Sequence, residues 1–122
     1  MSDFHDIKND FLEKAIVAIE ENLADENFGV SELAEAVSMS RSNLLRKVKK
    51  ITDLSVSQLI RQVRLKRAKE LLQDQSLTVS EISYKVGFAS ASYFIKCFRE
   101  QYGYPPWEES KLRENNEQKD EP

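Results

Sequence analysis

A chain of 122 residues with 40% hydrophobic residues, 32% charged residues and a net charge of −3 fits one domain or two small ones, and excludes a chain that is disordered throughout. No apolar run approaches the roughly 18 residues of a membrane span, so no membrane contact by this segment is expected, and residues 1–10 are too acidic and polar for a signal peptide. One cysteine, Cys97, and one histidine, His5, are too few for a zinc site or a disulfide framework, so neither a metal, a cofactor nor a catalytic residue is expected.

Three glycines and three prolines, beside abundant Leu, Ala, Glu, Lys and Arg, favour helix. Residues 1–8, with His5, read as a flexible N-terminal segment. Phe11, Leu12, Ala15, Ile16, Ile19 and Leu23 recur at helical spacing and predict a first helix over 9–22. Next come a short helix from Val30, a turn at Ser38-Met39-Ser40 and a helix from Arg41. Leu33, Val37, Leu44 and Val48 are its core positions, Met39 is the plug, Ser40 is a good N-cap and Gly29 a weaker one. Ser55 with Gln58 forms a capping box that opens a long helix from Val56 to about Gln73. Val56, Leu59, Ile60, Val63, Ala68, Leu71 and Leu72 form its expected buried stripe, and at about 1.5 Å per residue it spans roughly 27 Å.

Thr78 with Glu81 opens the fifth helix by another capping box. The turn Gly87-Phe88-Ala89-Ser90 follows, with Phe88 as plug, and then a sixth helix. Ile82, Val86, Phe94 and Phe98 are apolar at helical spacing, and Cys97 among them reads as a buried core thiol. Gly103-Tyr104-Pro105-Pro106 stops the sixth helix, and Pro106 can start a seventh through about Arg113. Trp107 is expected as a lid on the core beneath it. Residues 115–122 read as a disordered tail. The expected fold is all-α, with seven helices. A first helix-turn-helix subdomain (9–54) and a second (74–114) are joined by a long central helix (55–73).

The two subdomains are copies of one unit. Val30, Ser31, Glu32, Leu33 and Val37 match Val79, Ser80, Glu81, Ile82 and Val86; Ser40, Ser42, Leu44, Leu45, Arg46, Val48 and Lys49 match Ser90, Ser92, Phe94, Ile95, Lys96, Phe98 and Arg99. The offset is 49 before the turn and 50 after it, so the second turn is one residue longer. A tight turn between two short helices is the helix-turn-helix layout.

Charge is distributed unevenly. Residues 1–36 hold ten acids and two bases, whereas residues 41–73 hold ten bases against Asp53 and Glu70. Residues 74–104 balance, and 105–122 are net −3. A basic stretch of this kind is an electrostatic footprint for phosphate, although a solvated helix face gives the same pattern.

These residues resemble the AraC/XylS-type DNA-binding domain from about Phe11 to Arg113. The resemblance is carried by Leu33-Ala34, by Met39-Ser40-x3-Leu44-x-Arg46 and by Ile60-Arg61-x2-Arg64-Leu65-x2-Ala68-x2-Leu71-Leu72. It continues in Ile82-x4-Gly87-Phe88-x4-Tyr93-Phe94-x3-Phe98 and Gly103-x2-Pro106. Arg64-Leu65-Lys66-Arg67-Ala68 and Tyr93-Phe94 also resemble the output module of Bacteroides-type hybrid two-component regulators. That resemblance implies a piece of a longer polypeptide, with Met1-Ser2 foreign to it and with upstream sensor or receiver domains; a DNA target would add RNA polymerase as a partner, a cytoplasmic location and transcription activation. Two departures stand out. The family usually has Gly where Asp53 stands, and an aromatic-Arg pair where Glu109-Ser110 stand.

In each unit the second helix is the expected reader of double-stranded DNA, entering the major groove; the two readers are expected in successive grooves, giving an asymmetric site. Arg41, Ser42, Asn43, Leu45 and Arg46 are the expected base contacts of the first, with Arg46 forking to guanine and Leu45 against a thymine methyl. Ala91, Ser92, Ile95 and Lys96 match them in the second and have less power to discriminate. Ser40, Lys47, Lys50, Ser90, Tyr93 and Arg99 are expected at phosphates, and Lys96 suits that role too. Arg61 and Arg64 either reach DNA or pair with acids of the first helix. An all-helical protein-interaction module with a basic face is the rival reading. An enzyme has no support, for want of a nucleophile with a base or a phosphate-cradling loop.

Overall fold

The computed structural model of the chain describes residues 9–109. It contains α1 (Asp10–Glu21), α2 (Val30–Ala36), α3 (Arg41–Thr52), α4 (Val56–Leu71), α5 (Val79–Lys85) and α6 (Ala91–Tyr102), then a 3-10 turn at Pro106–Glu108. Among the described residues there is no strand. The all-α expectation holds with one adjustment: the seventh helix is, as far as described, a 3-10 turn. The segments 1–8 and 115–122, His5 and the expected helix end near Arg113 lie outside the described residues.

Each helix begins where the sequence supplies a cap. Asn9 accepts from the Leu12 N–H at 2.9 Å and opens α1. Ser40 and Ser90 open α3 and α6 in the same way, each accepting from an N–H three residues on at 3.2 Å. Ser55 and Gln58 exchange bonds of 3.1 and 2.9 Å at the start of α4. At α5 the box is complete: the Glu81 N–H donates to Thr78 Oγ1 and the Thr78 N–H donates to Glu81 Oε1, both at 3.0 Å. At α2 only half of it exists, since Gly29 has no side chain and its N–H donates to Glu32 Oε1 at 2.9 Å.

The chain divides into two compact units, with the boundary between Arg64 and Leu65, inside α4. The core of the first unit joins Leu12, Ile16 and Ile19 of α1, Leu33 of α2, Leu44 and Val48 of α3, and Val56, Leu59, Ile60 and Val63 of α4. Burying such a side chain contributes about 1.5–3 kcal/mol, so these few residues account for most of the driving force. In the second unit Leu65, Ala68, Leu72, Ile82, Val86, Phe88, Phe94, Cys97 and Phe98 are buried. Its rings form a run: Phe88 to Phe94 at 5.2 Å, Phe94 to Phe98 at 5.8 Å and Phe98 to Tyr104 at 5.8 Å.

Two packing expectations need correction. The stripe on α4 omits Leu65, which is 1% exposed, and includes Leu71, which is only half-buried. A single stripe assumes a single core, whereas α4 belongs to the first unit up to Arg64 and to the second from Leu65. Trp107 is not a lid: it is 52% exposed, while Pro106 is buried and the Tyr104 ring meets Phe98 edge-on. In the 3-10 turn it is Pro106, not Trp107, that is buried.

The two turns share one construction. Ser38 and Gly87 both take positive φ, 57° and 89°, and the next residue closes the turn. The Met39 N–H donates to Ala34 O and the Phe88 N–H to Ser83 O, each at 2.9 Å. Phe88 is buried, as the plug reading expects, whereas Met39 is only half-buried and lines an open concavity. The extra residue, Ala89, therefore follows the plug and is exposed. Asp53 does not change its turn: it takes the left-handed φ of 62° that glycine would favour. Glu109 is buried, where it accepts from the Tyr104 hydroxyl and from Gln73 Nε2 at 3.3 Å. Ser110 lies outside the described residues.

Candidate nucleic-acid interface

In the first unit, helical periodicity separates the two sides of α3 cleanly. Leu44 and Val48 are fully buried, whereas Arg41, Ser42, Asn43, Leu45, Arg46, Lys47, Lys49 and Lys50 are exposed. No acidic residue occurs within α3. Leu45 is 40% exposed, which a peripheral core role does not require. Met39, Asn43, Arg46, Lys47, Lys50 and Ile51 line a shallow concavity on this face. The Ser40 hydroxyl, itself exposed, caps the helix at the end where backbone N–H groups and the dipole favour anions.

Four of these side chains are already held. Arg41 donates from Nη1 to Ser31 Oγ at 3.0 Å, which links the starts of α3 and α2. Arg46 donates from Nη2 to Asn43 Oδ1, one turn back along α3. The Lys47 ammonium lies 4.7 Å from the centre of the Phe11 ring, so α1 supports its stem. Lys49 is turned toward the helix end, bonded to Asp53 O at 3.1 Å and 3.4 Å from the Asp53 carboxylate. Ser31 was not legible as part of this surface, because its partner lies ten positions on and no spacing rule links the two.

In the second unit Ser90, Ser92, Tyr93, Lys96 and Arg99 are exposed on α6, and Ala91 and Ile95 are half-buried. Tyr93 is 47% exposed, with its ring tilted against Phe88 at 5.9 Å. The face offers hydroxyls, short aliphatic groups and two cations. Among the base-contact candidates on it, none is an arginine.

Arg64 of α4 takes partners that the sequence did not point to. Arg64 is buried and donates to the backbone carbonyls of Asp25 at 2.8 Å and Phe28 at 3.3 Å. Its expected acidic partner on the first helix is therefore replaced by carbonyls of the segment between α1 and α2. Burial pushes its guanidinium pKa down, and the nearby Asp25 and Glu26 oppose that shift. These bonds occupy Arg64 inside the first unit, and Arg61 is half-buried.

Comparison with known proteins gives the same picture. The family model described as a helix-turn-helix domain matches residues 33–111. Over 100 residues the chain is 38% identical to the histidine kinase P4 of Formosa agariphila, covering 82% of this chain and 7% of that protein. The chain thus corresponds to a small part of that relative. A solved structure of an AraC-type transcriptional regulator from Chromobacterium violaceum is 30% identical, with a TM-score of 0.78, covering 84% of this chain and 91% of that one. The DNA-binding domain of AdpA, a global transcriptional factor solved in complex with a target DNA, is 27% identical with a TM-score of 0.76 and covers 91% and 99%.

Proposed function

This chain belongs to the AraC-type helix-turn-helix DNA-binding domains of transcription regulators, and from that premise we propose that it binds double-stranded DNA in a sequence-specific way through α3 and α6. The observation that carries this reading is the outward face of α3, where Arg41, Arg46, Lys47 and Lys50 stand exposed around the fully buried Leu44 and Val48. A helix of this kind fits the major groove, which is about 12 Å wide.

Arg41, Ser42, Leu45 and Arg46 contact base edges from the first reader, with Asn43 beside them; Ala91, Ser92, Ile95 and Lys96 do so from the second. Ser40, Lys47, Lys50, Ser90, Tyr93 and Arg99 hold phosphates. An arginine fork on guanine discriminates by about 1–3 kcal/mol. The short side chains of α6 offer no such fork, so the first reader supplies most of the discrimination and the second mainly affinity. The duplication supports a site of two unlike halves in successive major grooves of one duplex. On this reading 9–54 and 74–114 are the reading subdomains and 55–73 their connection.

The match to a small part of a histidine kinase supports an output role within a larger bacterial signalling regulator. Sensor or receiver domains then precede this segment in the same polypeptide, RNA polymerase is the partner that DNA binding recruits, the outcome is activation, and the location is cytoplasmic. Selection of bound sequences from random duplexes tests the reading. It is expected to return one asymmetric site about two helical turns long. Recovery of no preferred sequence, with no salt-sensitive binding to any duplex, would favour a protein-interaction module instead.

A further inference from the structure

Both arginines on the reading face of α3 are held, and neither is held by an acid. Arg41 Nη1 meets the Ser31 hydroxyl at 3.0 Å, and Arg46 Nη2 meets the Asn43 side-chain carbonyl. Elsewhere among the described residues carboxylates do hold cations: Asp53 lies 3.4 Å from Lys49, and Glu70 lies 3.3 Å from Arg67. The difference has chemical meaning. A carboxylate orients a guanidinium but also cancels its charge and competes with the phosphates and bases of a duplex. A neutral oxygen orients it and leaves the charge intact. A guanidinium has five N–H donors, so one bond to Ser31 or Asn43 leaves a full edge for a base.

The arrangement is confined to the first copy of the repeat. Ser80 stands at the place of Ser31, but Ala91 replaces Arg41 and Tyr93 replaces Asn43. Arg41 and Arg46 are long side chains with much rotamer freedom, and freedom removed before binding does not have to be removed during it.

We propose that Ser31 and Asn43 are positioning residues, which set the guanidinium groups of Arg41 and Arg46 in advance for base contact. This rests on the reading above that those two arginines touch bases. Asn43 thereby acts through Arg46 rather than on a base of its own, and Ser31 joins the specificity machinery from α2, outside the reading helix.

The test uses the 122-residue chain, the selected site and a scrambled duplex at fixed salt. Ser31→Ala and Asn43→Ala are each expected to reduce the preference for the site by about two- to tenfold, the range of one hydrogen bond. Affinity for the scrambled duplex and the melting temperature stay unchanged. Ser31→Thr, which keeps the hydroxyl, retains the preference, and Ser31→Ala adds nothing in an Arg41→Ala background. The proposal is overturned if Ser31→Ala has the same effect with Arg41 already removed, if it weakens both duplexes equally, or if it changes nothing. If instead Arg41→Ala and Arg46→Ala themselves leave the preference intact, the base-contact reading fails first and takes the positioning role with it.

Discussion

Asp53 and Gly103 end the two reading helices in the same way, fifty positions apart. Both are left-handed, with φ of 62° and 85°, and each donates its N–H to the carbonyl four residues back, Lys49 O and Arg99 O. Left-handed backbone strains any residue with a Cβ, by about 1–2 kcal/mol. Asp53→Gly is therefore expected to stabilise the chain by about 1 kcal/mol, since its ion pair with Lys49 is exposed and contributes little. Gly103→Ala is expected to destabilise by a similar amount through strain alone, because an added Cβ there meets nothing within 4 Å. Urea unfolding of the two variants measures both effects.

Arg64 holds the segment between α1 and α2 through two carbonyls; its removal takes the donor from the buried Phe28 carbonyl, while the Asp25 carbonyl keeps the Phe28 N–H. Arg64→Ala is expected to destabilise the first unit by about 2–4 kcal/mol. The dependence of DNA affinity on salt stays as in the wild type, measured where the variant remains folded. A lower salt dependence with unchanged stability would instead place Arg64 at a phosphate.

Tyr104 gives the second unit a sensitivity to alkali. Burial, and then the bond to Glu109, hold its hydroxyl pKa well above the usual tyrosine value, and Tyr102 is raised as well by burial. Unfolded tyrosine titrates near pH ~10, so the folded state favours the protonated form. The stabilisation is complete below that pH and is lost as the pH rises above it. Tyr104→Phe is expected to cost about 1 kcal/mol at neutral pH and to flatten, without abolishing, the alkaline loss of stability. Thermal unfolding at a series of pH values between neutral and alkaline checks it.

The repeat, the caps and the readers' outward positions were legible in the sequence because each is local. A Ser or Thr beside a Glu, or an apolar residue every third or fourth position, has one physical outcome. Hence Ser40, Ser90 and Thr78 cap the helices expected of them, and Leu44 and Val48 are buried as expected. What escaped depends on tertiary choice. Leu65 follows Arg64 directly, yet the first unit ends at Arg64 and the second begins at Leu65, a change of core that periodicity along one helix does not reveal. Arg64 chose backbone carbonyls over the abundant acids, and Pro106, not Trp107, is buried. Ser31 meets Arg41 through the geometry of the turn between them, to which hydrophobic periodicity is blind.

Lys47 and Lys50 flank the concavity on α3 and are assigned to phosphates. Replacing both with Ala is expected to reduce the slope of log affinity against log salt by about two units, near 0.9 for each contact. Sequence preference is expected to remain, since phosphates carry no sequence information. The measurement is a titration of the selected duplex across a salt series.

The most direct measurement compares wild type and Arg46→Ala on the selected duplex and on one with the same bases in scrambled order. Loss of a forked contact predicts a drop of about ten- to a hundredfold on the selected duplex, within the range for one base contact, and little change on the scrambled one. An equal drop on both would make Arg46 a general phosphate contact. No drop on either would contradict the assignment of α3 as the reading helix.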